Sequence, residues 1–497
     1  MRQAWCRLLP CRRLDPGQLA SRLIAIVGPA GVVSSLEERR TYESDGLTSY
    51  RATPGLVVLP ETAEQVQAVV ALCHSVRVPF VARGSGTGLS GGALPIESGV
   101  LIALTRLRRI LEIDFANQRV VVEPGVTNLA VSHAVAGAGF YYAPDPSSQQ
   151  VCSIGGNVAE NSGGAHCLKY GFTAHHVTGL EVVLPDGSLV HLGGKTLDTP
   201  GYDLRGAFVG SEGTLGVATK ITLKILRRPE SVRTLLASFA STDAAGEAVS
   251  GIVAAGIVPA AIEMMGALAI EAAEKAVSAG YPKDAGAILI VELDGPTAEV
   301  DHELEVVVQI CKRAGAAELR LARDDDERAL MWKGRKSAFA AVGRISPDYY
   351  VQDGVIPRTA LPLVLRRIAA LSAEAGLRVA NVFHAGDGNL HPLVLYDAAV
   401  TGQAQRAEAL ATQILDTCLE HGGSVTGEHG IGVDKKTALG KMFTAADLSA
   451  MQLLRCAFDP DSICNPGKVF PTPRLCGEPA GPRRAHPLET GGAATVF

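Results

Sequence analysis

Along the first part of the chain, apolar residues occur in short extended runs and in segments with the three- to four-residue spacing of a helix. These patterns follow one another and predict alternating strands and helices. Residues 55–60 read as a strand, and residues 79–83 resume the extended pattern after a helix. Thr62 and Gln65 have the spacing of a capping box for that helix, which is predicted to run through Val76. This strand–helix–strand unit opens directly into a loop.

Further apolar runs near residue 101, at residues 119–126 and on both sides of the Pro-Asp-Gly turn at 185–187 continue the pattern. They predict a first domain that ends at Arg228-Pro229. From Val232 onward, two strand–helix–strand halves follow, with helices predicted at 243–255 and 297–314. This order is typical of a split βαβ domain of the ferredoxin-like kind. A helix around 326–342 and the segment after residue 360 are predicted to pack against this domain.

Composition narrows the class of protein. The 497 residues exceed what one core usually supports, and 47% hydrophobic residues suffice for two domains. A net charge of -5 and the absence of a basic run with interleaved aromatic residues argue against nucleic-acid binding. No stretch approaches the roughly 18 apolar residues of a membrane span. The Arg-rich first fourteen residues and the tail from Arg474 are predicted to be disordered.

Ten cysteines are scattered without a C-x-x-C pair, which predicts reduced thiols in a cytosolic protein. The tight spacing of iron–sulphur ligands is missing as well. Any such cluster is therefore expected in another chain.

A glycine-rich loop, RGSGTGLSGGA at residues 83–93, follows a predicted strand. Glycine removes the Cβ that would block close approach, so such a loop can turn its backbone N–H groups toward a phosphate. It satisfies G-x-G-x-x-G at Gly86, Gly88 and Gly91, but Pro95 prevents a helix directly after it, so a Rossmann fold is rejected. A merely flexible loop is the alternative for this motif taken alone.

Three further small, turn-rich segments follow: APDPSS at 143–148, SIGGNVAENSGG at 153–164 and GSEGTLGVAT at 210–219. Together with the glycine loop they resemble an FAD domain of the vanillyl-alcohol-oxidase (PCMH) type. Over about residues 40–475, the chain resembles the FAD-binding D subunits of bacterial glycolate oxidases. The resemblance implies an α+β fold, in which a PCMH-type FAD domain is followed by a ferredoxin-like substrate domain.

The resemblance also implies boundaries: an extension at 1–40, the FAD domain at 41–229, the substrate domain at 230–425, a segment returning to the flavin at 426–473, and a tail at 474–497. It implies that the glycine loop holds the FAD pyrophosphate and that the later segments line the rest of the cofactor. The implicated residues are Gly84, Ser85, Gly86, Thr87, Gly88, Leu89, Ser90, Gly91, Pro146, Ser147, Gly155, Gly156, Asn157, Glu212 and Gly213. Since residues 81–93 contain no His or Cys, we expect non-covalent FAD, although Cys167 leaves a covalent link open.

Two histidines flank a turn signal in VANVFHAGDGNLHPLVLY. If Asp387-Gly388 is a two-residue hairpin loop, paired residue numbers sum to 775 and His384 lies opposite His391. Opposed side chains share a face and can hold one metal ion. Glu428, in the glycine-framed GGSVTGEHGIG, is a candidate third ligand; two His and one Glu leave a coordination position open. Ordinary core or surface histidines are the alternative for the pair alone.

In the metal-dependent 2-hydroxy-acid dehydrogenases that the chain is similar to, these three positions are ligands of a divalent ion, here zinc, manganese or iron. The residue after the glutamate, His429, is the base in that family, and the pKa of about 6.5 of histidine suits proton abstraction. The same family match favours Arg335 as the residue that binds the substrate carboxylate, by two parallel hydrogen bonds. A surface charge is the alternative for Arg335.

Phe339, Val351 and Leu393 stand where relatives that oxidise 2-hydroxyglutarate have polar residues, which favours a short substrate. The sequence thus predicts an FAD-dependent dehydrogenase of glycolate, with D-lactate as the alternative substrate. By the same resemblance, its partners are a second flavin-domain subunit and an iron–sulphur subunit, which would hold the chain in the cytoplasm at the inner membrane. The rival interpretations are a non-oxidative flavoprotein, like alkyl-glycerone-phosphate synthase, or a non-catalytic FAD subunit.

Overall fold

The computed structural model describes residues 15–196 and 200–471, and these form a first half with two main sheets and a second half built on one large sheet. The expectations for the Arg-rich first fourteen residues and for the tail from residue 474 lie outside the described residues. The helices of the first half are α1 (Pro16–Val27), α2 (Leu36–Arg40), α3 (Ala63–Val76), α4 (Asn128–Val135), α5 (Ile154–Glu160), α6 (Cys167–Tyr170) and α7 (Leu204–Phe208). Its strands are β1 (Val32–Val33), β2 (Leu56–Val58), β3 (Phe80–Arg83), β4 (Val100–Ala103), β5 (Ile110–Asp114), β6 (Arg119–Val122), β7 (Phe140–Tyr141), β8 (Val177–Val183), β9 (Leu189–Gly193), β10 (Val217–Lys224) and β11 (Leu226–Arg227).

The first half contains two main sheets. One has the order β1-β2-β4-β3 with β2, β4 and β3 parallel, and the other is antiparallel with the order β5-β6-β10-β8-β9. The predicted helix after Thr62 is confirmed: the Thr62 side chain accepts a hydrogen bond from Gln65 N (3.3 Å). The reciprocal bond differs from a capping box, because Gln65 Oε1 accepts from the backbone of Glu61 (2.7 Å).

The second half continues the chain with β12 (Ser231–Phe239), α8 (Thr242–Ala254), β13 (Ala261–Gly266), α9 (Ala267–Val277), β14 (Ala287–Gly295), α10 (Thr297–Arg313), β15 (Glu318–Leu321), α11 (Asp325–Val342), β16 (Asp348–Val351), β17 (Gly354–Val355), α12 (Leu361–Ala375), β18 (Val379–His384), β19 (Asn389–Tyr396) and α13 (Gln403–Glu420). The strand order β15-β12-β14-β13, with antiparallel neighbours, is that of a split βαβ domain, as predicted. The sheet then extends through β18, β19 and β16.

Helix α9 was not predicted. Its sequence, ALAIEAAEKAV, is rich in alanine, the strongest helix former, and four of its residues are buried: Ala269, Ile270, Ala272 and Ala273. The local sequence therefore favours a helix at this position.

The thiol expectation is only partly correct. Six described cysteines are free and buried: Cys73, Cys152, Cys167, Cys311, Cys418 and Cys464. Cys456 is disulfide-bonded, so the prediction of reduced thiols is wrong at this position. Spacing along a sequence does not show which thiols a fold brings together.

The C-terminal part, with α14 (Lys436–Met442) and α15 (Ala445–Phe458), returns to the first half. Phe80 N donates to Ile463 O (2.9 Å), and Asn465 N donates to Phe80 O (2.8 Å). The buried Asn465 side chain donates to Gly92 O (2.9 Å) and Glu212 O (2.7 Å) and accepts from Lys468 Nζ (2.9 Å). Asn465 therefore joins the glycine loop to the end of the chain.

We predict that Asn465→Ala lowers the free energy of unfolding by about 1–3 kcal/mol, because it leaves two buried carbonyl groups without their donor. Urea unfolding of the holoprotein measures the change. Leu453→Ala, on the exposed face of α15, is the matched control and should stay within about 0.5 kcal/mol. An equal, small effect of both substitutions would contradict the return contact.

Candidate active site

A cavity of about 1140 Å³ lies between the two halves of the protein. The predicted cofactor residues that line it are Gly84, Ser85, Gly86, Thr87, Gly88, Leu89, Pro146, Ser147, Gly155, Gly156, Asn157, Glu212 and Gly213. Glu428 and His429 line the same cavity. The structure thus brings the glycine loop and the predicted acid–base segment to one space.

Two predicted cofactor residues do not line the cavity. Ser90 O accepts the N–H groups of Val433 (3.0 Å) and Asp434 (3.2 Å), and Gly91 packs against the Val433 side chain. Ser90 and Gly91 therefore join the glycine loop to the segment at Val433 and Asp434 and do not face the cavity. Close approach explains the glycine at the start of the loop: a Cβ on Gly84 would lie 2.1 Å from Ser153 Oγ, the N-cap of α5.

The hairpin that carries the two histidines has a different register from the predicted one. His384 pairs with Asn389 and Val382 pairs with His391, so partner numbers sum to 773 and the loop has four residues. The prediction of a two-residue loop at Asp387-Gly388 is therefore wrong. Because the shift moves the pairing by two positions, His384 and His391 remain on one face, diagonally placed, with ring centroids 5.1 Å apart.

Glu428 completes a group of three candidate ligands. Its Oε1 lies 3.4 Å from His384 Nε2 and 3.1 Å from His391 Nε2, and one ligand atom from each residue falls within 4.8 Å of the others. His391 Nε2 is buried and makes no hydrogen bond of good geometry. Two imidazoles and a carboxylate that converge in this way fit a divalent cation.

Charge is balanced within this group. Burial opposes ionisation of Glu428, but His384 and His391 hold its pKa well below the usual range. Burial also opposes protonation of His384, but Glu263 and Glu428 raise the pKa of that imidazole. A carboxylate that is ionised and close to two ring nitrogens is suited to bind a cation.

Asp353, which was not predicted, anchors the loop that contains Glu428 and His429. Its buried carboxylate accepts the N–H groups of Gly427 (3.1 Å), Glu428 (3.2 Å) and His429 (2.8 Å). Burial raises the pKa of Asp353, but nearby His429 and Lys435 lower it to about 2. The anchor therefore remains charged across the physiological range.

His429 is placed between this anchor and the cavity. Its ring stacks on His391 (centroids 4.9 Å apart, 14° between planes), with Nδ1 4.0 Å from Asp353 Oδ2 and Nε2 3.8 Å from Glu428 Oε1. Burial lowers the pKa of His429 to about 4. Its imidazole is therefore neutral at pH 7 and can accept a proton.

Arg335 does not line the cavity. Its side chain is 2% exposed, and its Nη2 lies 2.5 Å from Glu263 Oε2. The other oxygen of Glu263 lies 2.8 Å from His384 Nδ1. Glu263 therefore connects the predicted carboxylate-binding arginine to a candidate metal ligand, a link that was not predicted.

Only two of the three residues predicted to close the pocket line the cavity. Phe339 and Val351 line the cavity, and the Phe339 ring centroid lies 5.7 Å from that of His391. Leu393 is fully buried in the hydrophobic core and does not line the cavity, so that expectation is wrong. Residue matching alone does not show that Leu393 points into packed side chains.

Two missed residues carried a weak signal in the sequence. Glu263 is an acid inside the apolar strand AIEMMG, and a buried acid in a strand requires a partner. Asp353 lies between two strands just before Gly354. Nothing in the local sequence shows that Asp353 reaches residues 427–429, more than seventy positions later.

Comparisons with known proteins identify both halves. Residues 54–193 match the FAD binding domain family, and residues 228–469 match the C-terminal domain family of FAD linked oxidases. The chain is 55% identical to the glycolate oxidase subunit GlcD of Escherichia coli K12 over 89% of each chain. It is 38% identical to GlcD of Bacillus subtilis, over 90% of this chain and 96% of that one. A probable mitochondrial D-lactate dehydrogenase of Danio rerio is 30% identical over 91% and 92%.

Solved structures agree on the fold. A p-cresol methylhydroxylase matches with a TM-score of 0.79 at 17% identity, over 93% of this chain and 98% of that one. An alkyldihydroxyacetonephosphate synthase matches with a TM-score of 0.72 at 19% identity, over 91% and 86%. These matches confirm the PCMH-type FAD-binding α+β fold.

In the described part of the chain, we find no helix with the length and apolar character needed to cross a membrane. The chain belongs to the GlcD family of FAD-linked oxidoreductases, and its cofactor is FAD.

Proposed function

We propose that the protein is an FAD-dependent 2-hydroxy-acid dehydrogenase that converts glycolate to glyoxylate, with D-lactate as the alternative substrate. The observation that carries the proposal is the placement of Glu428 and His429 in the wall of the same cavity as the glycine loop. The names of the relatives support the substrate class. The similarity of fold to alkyldihydroxyacetonephosphate synthase, at 19% identity, does not outweigh them.

The glycine loop and the segments around Pro146, Asn157 and Glu212 would hold FAD, and His384, His391 and Glu428 would hold a divalent ion. When bound, FAD supplies a hydride acceptor and the ion supplies a Lewis acid for the substrate hydroxyl. Cys167, the residue considered for a covalent flavin link, is buried and does not line the cavity, which supports non-covalent binding.

His429 is the proposed base. As C2 of the hydroxy acid loses a hydride, the hydroxyl loses its proton, and the neutral imidazole of His429 can take it. Asp353 fixes the backbone of this residue, and the stacked ring of His391 fixes its plane. The products are a 2-oxo acid and a protonated His429, and the hydride, with both of its electrons, would go to the FAD that the cavity holds when loaded.

Arg335 is proposed to bind the substrate carboxylate by exchanging one partner for another. In the structure its charge is paired with Glu263. Two of its nitrogens, Nε and Nη2, are buried and make no hydrogen bond of good geometry. A carboxylate that reached them would gain the two parallel bonds that guanidinium offers. Phe339 and Val351 in the cavity wall favour a short substrate.

We predict that His384→Ala or His391→Ala removes the bound metal and most activity but leaves FAD in place, because the ligands lie outside the glycine loop. Elemental analysis and the flavin absorbance of the purified variants measure both properties. The exposed histidine His191 supplies the control, since His191→Ala should retain metal and activity. A metal-free but fully active double variant would exclude the metal from the reaction.

For His429→Ala we expect kcat to fall by about 10²- to 10⁴-fold while FAD and metal are retained. Since the pKa of His429 is lowered to about 4, the base is already deprotonated at pH 6. In the wild type, kcat/KM should therefore stay level from pH 8 to pH 6 and decline only as the pH approaches 4. Loss of most activity between pH 8 and pH 6, or an unchanged His429→Ala variant, would assign the base elsewhere; His302→Ala is the exposed control.

The electrons are proposed to leave to partner subunits, a second flavin-domain chain and an iron–sulphur chain, as in the glycolate oxidase complexes that the chain resembles. We place this complex at the cytoplasmic face of the inner membrane. The "subunit" in the names of its relatives supports assembly with other chains.

The experiment that tests the whole proposal adds glycolate or D-lactate to the purified chain without oxygen. The flavin absorbance should bleach, and an artificial dye should restore it rapidly, whereas air should yield hydrogen peroxide only slowly. Rapid, stoichiometric peroxide formation would show a self-sufficient oxidase. A flavin that neither substrate bleaches would reject the dehydrogenase.

A further inference from the structure

A network of charged and polar side chains crosses the boundary between the two halves of the protein, close to the active site but outside the cavity wall. From the first half it includes Asp145 and His166, and from the second half Glu292, Arg328 and Lys336. We call these five residues the interdomain network. Asp145 belongs to the turn-rich segment APDPSS, and no site role was predicted for the other four residues.

His166 lies at the centre of this network. Its Nδ1 is 3.0 Å from Asp145 Oδ1 and its Nε2 is 3.1 Å from Glu292 Oε1, so one ring contacts a carboxylate from each half. Burial alone would lower the pKa of His166, but Asp145 and Glu292 raise it to about 10. The ring is therefore an imidazolium at neutral pH, and both of its N–H groups donate.

Both carboxylates are fixed by further partners. Glu292 accepts two hydrogen bonds from the Arg328 guanidinium (2.7 and 2.8 Å), and Trp332 Nε1 donates another (2.7 Å). Lys336 Nζ donates to Asp145 Oδ2 (3.0 Å). Charge-assisted bonds to the buried Glu292 carboxylate and to the partly buried Asp145 carboxylate hold these groups in one geometry.

The network is joined to the reaction site by short backbone links. Asp145 directly precedes Pro146 and Ser147 in the cavity wall, and Lys336 directly follows Arg335 on α11. The loop that leads into His166 packs on both sides: a Cβ on Gly163 would lie 2.6 Å from Glu428 Oε2, and one on Gly164 would lie 2.6 Å from the Asp145 carbonyl carbon. Neither glycine position leaves room for a side chain, so the loop is closely packed against Glu428 and Asp145.

We propose that His166 is a positioning residue, which holds the flavin-side loop at Pro146, the Glu428 side chain and helix α11 in register across the domain boundary. It does not line the cavity. Its removal should let the two halves shift slightly, and a displacement of about 1 Å can cost about 10²-fold in rate. The inference rests on the proposed function for its kinetic part only.

The test compares His166→Phe with Lys169→Met in the FAD-loaded protein. Phe keeps an aromatic ring beside Trp332, whose ring centroid is 5.4 Å from that of His166, but removes both N–H groups. Lys169 makes another ion pair between the halves, with Nζ 2.6 Å from Asp294 Oδ1. Both variants lose one contact between the halves, so both should lower the melting temperature.

Only His166→Phe should change the visible circular dichroism of bound FAD and lower kcat, by about 10²-fold, with a smaller change in KM. Equal effects of the two variants, or a wild-type FAD spectrum and kcat in His166→Phe, would overturn the proposal. If His166→Phe does not fold, Asp145→Asn takes its place, since it weakens the same bridge from the other side. A wild-type spectrum and kcat in that variant would overturn the proposal as well.

The spectrum separates this inference from the proposed function. A wild-type chain that oxidises neither glycolate nor D-lactate would reject the function, but the dichroism of bound FAD would still report whether His166 positions the flavin loop. An altered spectrum in His166→Phe alone would then support the positioning role without any turnover. An unaltered one would reject it.

Discussion

The site depends on one buried carboxylate, that of Asp353, which accepts the backbone N–H groups of three consecutive residues, 427–429. A glycine-framed loop has many conformations open to it, and ordering them costs about 1–2 kcal/mol for each residue fixed. An ionised acceptor inside the protein offsets this cost, because its bonds to N–H groups are stronger than neutral ones. The positions of Glu428 and His429 follow from that anchor.

Around this anchor, the site is assembled from alternating charges. Glu263 lies opposite His384 in the β13–β18 ladder and also contacts Arg335. Each buried charge has an opposite neighbour, which removes most of the penalty of taking it out of water. Burial opposes protonation of both His384 and His429. At His384, Glu263 (2.8 Å from Nδ1) and Glu428 outweigh burial and raise the pKa, whereas the carboxylates nearest the His429 ring lie 3.8 and 4.0 Å away and do not, so the pKa of His429 is lowered.

The two halves contribute different functions to the cavity. The first half supplies backbone: small residues of the glycine loop and of the segments near Gly155 and Gly213, which let a large flat cofactor approach. The second half supplies side chains: Glu428 and His429 lie in the cavity wall, and Glu263, His384 and His391 lie outside the wall on neighbouring strands of the large antiparallel sheet. After the second half, the C-terminal segment returns to the first half, where Asn465 donates hydrogen bonds to Gly92 O and Glu212 O. Chemistry at the boundary therefore requires that the halves keep a fixed register.

The sequence by itself determined the elements and the chemical types. Helices such as Thr297–Arg313 and the ferredoxin-like strand order followed from local periodicity, and the glycine loop indicated the cofactor. The two histidine segments predicted metal ligands, and that role stays a prediction. Tertiary structure alone decided the hairpin register at His384, the burial of Leu393 and Arg335, and the anchor at Asp353. Local pattern reports the preference of a segment for helix or strand, whereas these features arise from contacts between residues far apart in the chain. Such contacts are selected by packing and charge pairing over the whole fold, and no window of neighbouring residues contains them.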